Sequence, residues 1–101
     1  MYFDDVPSQS KVRPVLVLDG DLALILSLKI TSHPPRTDVP GEYALVMWKE
    51  SGLLKPSTVR VSQLLELNPD QFRKRIGVLR EPDRSNIEAI FSGMYGLDFH
   101  F

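Results

Sequence analysis

Several features that the sequence lacks exclude whole classes of site and function. Its 101 residues include no cysteine, which excludes disulfides and thiolate metal sites. Neither sign of charge is in excess, because 12 Lys and Arg stand against 13 Asp and Glu. A chain-wide basic field of the kind that drives non-specific nucleic-acid binding is therefore absent, and a nucleic-acid role requires a local basic patch. The longest apolar runs, Pro14–Leu18 and Leu22–Leu28, are too short to span a bilayer.

Other features are those of an ordinary folded protein. Hydrophobic residues make up 43% and charged residues 25% of the chain. The amino-terminal MYFDDVPSQSK has early acidic residues and lacks the apolar centre of a secretory signal. We therefore expect one domain over residues 1–101, located in the cytoplasm, with no membrane partner.

Short apolar segments separated by turn residues predict a mainly β structure. Val15–Asp19 is predicted as a buried strand, and the Asp-Gly turn after it leads by a hairpin into a central strand over Leu22–Ile30. Ser32–Gly41 contains three prolines, so we expect a loop there. Further strands are predicted at Glu42–Trp48, Ser57–Leu67 and Arg75–Arg80.

Two helices complete the predicted fold. Asn68-Pro69-Asp70 indicates the start of a short helix, with an N-cap and a proline in the first turn. The second begins at a capping box from Ser85 to Glu88, with Asp83 as an alternative cap, and ends at Gly96. The fold class is therefore α+β and mainly β: a small antiparallel barrel or half-barrel with a short helix and a C-terminal helix.

Four segments in this order resemble the MazF/PemK family of bacterial toxins. They are KVRPVLVL at Lys11–Leu18, LKITS at Leu28–Ser32, SGLLKPSTVRV at Ser51–Val61, and the helix, strand and helix of Asn68–Phe91. The resemblance covers nearly the whole chain. It implies an SH3-like barrel, a homodimer, and an endoribonuclease that needs no metal or other cofactor. It also implies inhibition by a cognate antitoxin whose disordered tail wraps the dimer.

Cleavage of RNA without a metal uses the 2′-hydroxyl as nucleophile. One group must take its proton, another must protonate the leaving 5′-oxygen, and a cation must stabilise the phosphorane. Arginine suits the last task, since its planar fork matches two phosphate oxygens. The resemblance makes Arg13 and Thr31 catalytic, and its PemK branch adds Arg60. That branch has an aspartate where this chain has Ser62, which cannot act as a carboxylate base.

Each of these residues also has a structural interpretation. Arg13, extended because Pro14 follows it, fits a solvated charge at a strand entrance or an ion-pair partner for Asp4–Asp5. Thr31 fits a strand end, and Arg60 with Ser62 fits an outward polar face. His33 has the near-neutral pKa of a general acid or base, but loop histidines are mostly exposed and idle.

The remaining predictions concern RNA contacts. We expect RNA-binding roles for Ser10, Lys11, Ser32, His33, Lys55 and Ser62. Basic residues gather as a local patch if the strand ends meet: Lys11, Arg13, Lys29, Arg36, Lys55 and Arg60. Tyr2, Phe3 and Trp48 are candidates for base stacking, with core burial as the alternative. The two histidines show no metal-ligand spacing, so no metal site is predicted.

The amino terminus departs from the family, and this keeps other functions open. Met1-Tyr2-Phe3 resembles only the end of the family's first strand, which predicts an exposed barrel edge and a loop over Asp4–Lys11 that brings RNA to Arg13. One alternative is a DNA gyrase poison like the CcdB proteins, which share the fold and act by binding through their C-terminal residues, here Met94–Phe101. The other is a degenerate member that binds RNA or a partner without chemistry.

Overall fold

The structure, a computed structural model, describes residues 1–8, 11–19 and 25–96. In chain order these form β1 (Tyr2–Ser8), β2 (Lys11–Asp19), β3 (Ile25–Thr31), β4 (Glu42–Ala44), β5 (Thr58–Leu67), a 3-10 turn (Pro69–Gln71), β6 (Lys74–Val78) and α1 (Asp83–Tyr95). The predicted fold class, mainly β with one short and one C-terminal helix, is confirmed. Within the described ranges, no helix is long and apolar enough to cross a membrane.

The six strands form one antiparallel sheet in the order β4-β5-β3-β2-β1-β6. As predicted, β3 is central, between β5 and β2. The turn at Asp19-Gly20-Asp21 lies largely outside the described residues, as does the start of the strand predicted at Leu22–Ile30.

The amino-terminal strand corrects two predictions. β1 is seven residues long and interior to the sheet, with Tyr2 opposite both Val17 on β2 and Val78 on β6. The prediction of a clipped first strand with an exposed edge is therefore wrong, and so is the loop predicted from Asp4 onwards. The acidic and proline residues resembled loop signals, but the buried carboxylate of Asp4 accepts the backbone N–H of Lys74 at 3.0 Å.

β4 ends at Ala44, short of the predicted Trp48, because the buried carboxylate of Asp83 accepts hydrogen bonds from the backbone N–H groups that follow. The N–H groups of Val46 and Met47 donate to its two oxygens at 3.0 and 2.8 Å, and the Tyr43 hydroxyl donates at 2.6 Å. The chain therefore leaves the sheet here and turns toward the start of α1.

The helix starts at this same residue. α1 begins at Asp83, so the capping box predicted at Ser85 is wrong, and the Ser85 hydroxyl instead donates to the Glu81 carboxylate at 2.6 Å. Gly96 ends the helix in the left-handed conformation, at φ 66°, as predicted. The short helix after Asn68 is confirmed as the 3-10 turn.

Alternation along the strands divides the apolar side chains between the two faces of the sheet. The larger core packs α1 against one face and includes Phe3, Leu16, Leu28, Ile30, Val59, Val61, Ile87 and Phe91. A smaller cluster on the other face is formed by Val6, Val15 and Val17. Phe3 is fully buried, so it cannot stack on a base, and Trp48 packs against the larger core. Tyr2 lies under the Arg75 guanidinium, 4.4 Å from its ring centre.

Candidate functional site

A cleft of about 510 Å³ opens at the end of the sheet where β2 begins and β3 ends. Because the two strands are antiparallel and Val15 pairs with Lys29, residues before Val15 meet residues after Lys29. The predicted site residues that line this cleft are Lys11, Arg13, Thr31, Ser32 and Lys55. The sheet thus brings Arg13 and Thr31 to one cleft.

Thr31 has a fixed position at the cleft wall. It is buried, and its Oγ1 accepts the backbone N–H of His33 at 3.3 Å. The Thr58 hydroxyl donates to the carbonyl of the same His33 at 2.7 Å, which holds the start of the following loop. The Thr31 hydroxyl keeps its own hydrogen available for donation. His33 itself is exposed and lines a smaller, separate pocket with Pro34 and Pro35.

The Arg13 side chain is exposed at the cleft. In the described part of the chain, no hydrogen bond or ion pair joins its side chain to another residue. Asp4, one of its suggested partners, instead accepts a hydrogen bond from the backbone N–H of Lys74. The cleft also holds Lys11, Lys55 and the side chain of Lys74. Four cations thus surround one opening in a chain of net charge −1, which supplies the local patch that the composition lacks.

The loop that carries Lys55 is held by close backbone contacts. Gly52 has φ 97°, and a Cβ on Gly77 would lie 2.0 Å from the carbonyl oxygen of Ser51, so β6 and the loop touch only because residue 77 is glycine. The Leu53 N–H donates to the Trp48 carbonyl at 3.0 Å. These contacts fix the wall of the cleft opposite β2.

Asp5 is a lining residue that sequence reasoning missed as a functional group. It is half-buried in β1, between Pro14 on β2 and Lys74 on β6. Burial, and then the charge of Asp4, raise the pKa of the Asp5 carboxyl, while Lys74 opposes this shift. The sequence signal was present, since alternation from the buried Phe3 places Asp5 on the same face, but it is visible only if residues 4 and 5 are assigned to a strand.

Arg60 does not line the cleft. It stands opposite Glu42 of β4, and its Nε is 3.2 Å from a Glu42 carboxylate oxygen without hydrogen-bond geometry. Glu42 also accepts the backbone N–H of Arg36 at 2.8 Å and its Nε at 3.1 Å. These bonds to Arg36 lower the pKa of Glu42 to about 2, against a small cost of burial. We call Arg36, Glu42 and Arg60 the Glu42 cluster.

The predicted basic patch is therefore divided. Arg60 and Ser62 do not line the cleft, and neither do Lys29 and Arg36. Ser10 lies outside the described residues, as does the end of the tail from residue 97. Within the described ranges, no group of three or more His, Asp or Glu side chains is placed to hold a metal ion.

Comparison with known proteins matches this chain to one family. Residues 3–94 match the family model described as "PemK-like, MazF-like toxin of type II toxin-antitoxin system". A search of curated protein sequences finds no significant match.

Solved structures share the fold over nearly their whole length. The Mycobacterium tuberculosis toxin MazF-mt6 superposes with a TM-score of 0.77 at 20% identity, covering 97% of this chain and 99% of that one. An endoribonuclease in complex with its cognate antitoxin, from a mycobacterial species, gives a TM-score of 0.77 at 14% identity, covering 95% and 92%. At these identities the superpositions demonstrate the fold.

Proposed function

Because the chain belongs to the family of PemK-like, MazF-like toxins of type II toxin–antitoxin systems, we propose that it is an endoribonuclease that cleaves single-stranded RNA. The observation that carries the proposal is the cleft in which Arg13 and Thr31 meet among four cations. Structurally similar proteins named as endoribonucleases support it and favour it over the gyrase-poison alternative.

The chemistry follows from what the cleft offers. The RNA 2′-hydroxyl attacks the adjacent phosphorus, the bond to the 5′-oxygen breaks, and a cyclic phosphate and a 5′-hydroxyl result. Arg13 is free to bind two non-bridging oxygens and to stabilise the charge of the phosphorane. Thr31, held against the His33 backbone, donates its hydroxyl hydrogen to the phosphate.

RNA binding rests on the cations around these two residues. Lys11 and Lys55 contact backbone phosphates on either side of the scissile bond, and Ser32 adds a hydroxyl next to Thr31. Ser10 keeps its predicted RNA-binding role. Arg60, His33 and Ser62 remain predictions from the sequence, and the position of Arg60 in the Glu42 cluster favours a structural role for it.

Three further parts of the proposal extend beyond the cleft. We propose that a cognate antitoxin inhibits the protein by binding it, that the active form is a homodimer, and that it acts in the cytoplasm on mRNA. The interior position of β1 removes the exposed edge first suggested as the reason for dimerisation. Sedimentation equilibrium measures the dimer directly, and a single monomeric species at micromolar concentration would contradict it.

The experiment that tests the proposal is cleavage of a long single-stranded RNA in EDTA, with cut sites mapped by primer extension. We expect discrete cuts that share a short sequence, and their loss in Arg13→Ala. Arg84→Ala is the matched control, because Arg84 pairs with Glu88 on the surface of α1, away from the cleft. RNA left intact by the wild-type protein, or cut equally by Arg13→Ala, would overturn the nuclease or its assignment to this cleft.

A further inference from the structure

The cleft contains a single acidic side chain among its described lining residues, and that residue is Asp5. Its strand register places it opposite Pro14 on β2 and opposite Lys74 on β6, and it lines the same cleft as Arg13, which pairs with Val6. A carboxylate here is unfavourable for simple RNA binding, since it repels phosphate. Its presence in the same cleft as Arg13, the proposed phosphorane-stabilising group, indicates a task other than affinity.

Asp5 differs from Asp4, Asp83 and Glu42 because its carboxylate has no hydrogen-bond partner among the described residues. Asp4 accepts the Lys74 N–H, Asp83 accepts three hydrogen bonds, and Glu42 binds Arg36. The Asp5 side chain makes no hydrogen bond or ion pair with any residue that the structure describes. Its oxygens are thus free to accept a proton from a bound molecule.

We propose that Asp5 is the general base of the cleavage, a role that rests on the proposed function. The Asp5 carboxylate takes the proton as the O2′–H bond breaks and the O2′–P bond forms. The P–O5′ bond then breaks, and a proton from solvent or a neighbouring acid completes the 5′-hydroxyl. No metal, oxidant or further reactant is required. This supplies the base that Ser62 cannot be.

The surroundings of Asp5 suit this role. Asp4 is its like-charged neighbour on β1 and Lys74 on β6 is the cation whose charge acts on it. Lys11 and Arg13 on β2 and Lys55 in the loop line the same cleft. Burial, and then the charge of Asp4, raise the pKa of the Asp5 carboxyl, which increases its basicity. Because a general base acts only when deprotonated, the cleavage rate should rise with pH through an acidic limb set by Asp5 and level off above it.

The test compares Asp5→Asn with Asp70→Asn, which makes the same chemical change on the exposed 3-10 turn. We expect Asp5→Asn to lower the single-turnover cleavage rate by about 100-fold or more, as loss of a general base does, and to lose the acidic limb of the pH profile. Asp5→Glu should restore part of both. Binding of an uncleavable RNA with a 2′-deoxy cut site should be unchanged or tighter, which separates chemistry from folding.

A substrate with a 5′-bridging sulfur identifies the direction of proton transfer, because a thiolate leaves without being protonated. A rate of Asp5→Asn that stays low on this substrate supports the base. Full rescue would show that Asp5 is an acid and overturn the assignment. If wild type cuts, Arg13→Ala does not, and Asp5→Asn cuts normally, only this inference fails. A wild-type protein that cuts no RNA overturns both proposals.

Discussion

Two groups of charges in this molecule are organised in opposite ways. In the Glu42 cluster, one carboxylate with its side chain 1% exposed is bonded to Arg36 and paired with Arg60. In the cleft, four cations and Asp5 lie around an opening, and no ion pair in the described ranges involves their side chains. The Glu42 cluster lies at the β4 edge of the sheet and the cleft lies at the end of β2 and β3. Both include an arginine that the resemblance made a candidate for catalysis.

The difference separates structural charge from functional charge. A buried pair must be satisfied inside the fold, because an unpaired charge out of water is costly. Charges left without partners at an opening cost little there, since water solvates them, and they stay available to a ligand. The contrast assigns Arg60 to holding β4 and the loop 32–41 against β5, and Arg13 to the substrate.

The largest expected effect comes from removing the free arginine. Arg13→Ala should lower RNA cleavage by about 100- to 1,000-fold, as loss of one preorganised charge-stabilising group does. Its melting temperature should stay close to that of wild type, because the side chain is exposed and makes no contact in the described structure. Cleavage kinetics and thermal melting measure the two effects, and a destabilised Arg13→Ala protein would contradict the contrast.

Removing the paired arginine should have the reverse result. Arg60→Ala leaves Glu42 without one of its two cations and opens space beside a strand pairing, so we expect Tm to fall by on the order of 5 °C. Cleavage below the melting transition should stay within about threefold of wild type. Loss of cleavage without a change in Tm would return Arg60 to the catalytic role that the PemK branch implies.

A smaller effect tests the cations at the edge of the cleft. Lys55→Ala should weaken binding of an uncleavable single-stranded RNA several-fold and reduce the slope of log affinity against log salt by about 0.7, the value for one phosphate contact on a single strand. Lys49→Ala, an exposed lysine outside the cleft lining, is the control and should leave the slope unchanged. Equal slopes for Lys55→Ala and wild type would exclude Lys55 from phosphate binding.

Local patterns in the sequence were enough to predict most of the fold. Of the two groups of charges, only the cleft was anticipated. Alternation at Val59 and Val61 and the turn residues at Asn68 and Gly96 act within a few residues, so the sequence displays them. Arg13 and Thr31 came from resemblance, and the antiparallel pairing of β2 with β3 explains why they meet. None of these predictions required knowledge of a distant contact.

The errors in the bounds of the strands and of the C-terminal helix involve a carboxylate whose partner is remote in sequence. Asp4 bonds to Lys74, 70 residues away, and this makes an acidic segment an interior strand. Asp83 bonds to Val46 and Met47, which shortens β4 and starts α1 two residues early. Asp5 was missed because residues 4 and 5 were not assigned to a strand, and its place in the cleft depends on β1 and β6 being adjacent.

The smallest expected effect is a pH dependence confined to the Glu42 cluster. The pKa of Glu42 is lowered from 4.5 to about 2 in the folded protein, chiefly by the hydrogen bonds from Arg36. A carboxylate whose folded pKa is depressed stabilises the fold fully above its unfolded pKa, and this contribution is lost as pH falls toward the folded pKa. Glu42→Gln, which cannot ionise, should therefore be less stable than wild type at pH 7, and the difference should shrink between pH 4.5 and about 2. Urea unfolding of both proteins at pH 7, 4 and 2.5 measures this difference in stability. Asp38→Asn, exposed on the loop 32–41 that precedes β4, should show no such convergence. A stability difference for Glu42→Gln that is constant over this range would mean that its pairing with Arg36 and Arg60 is not what holds the loop, and the contrast between paired and free charge would then rest on the cleft alone.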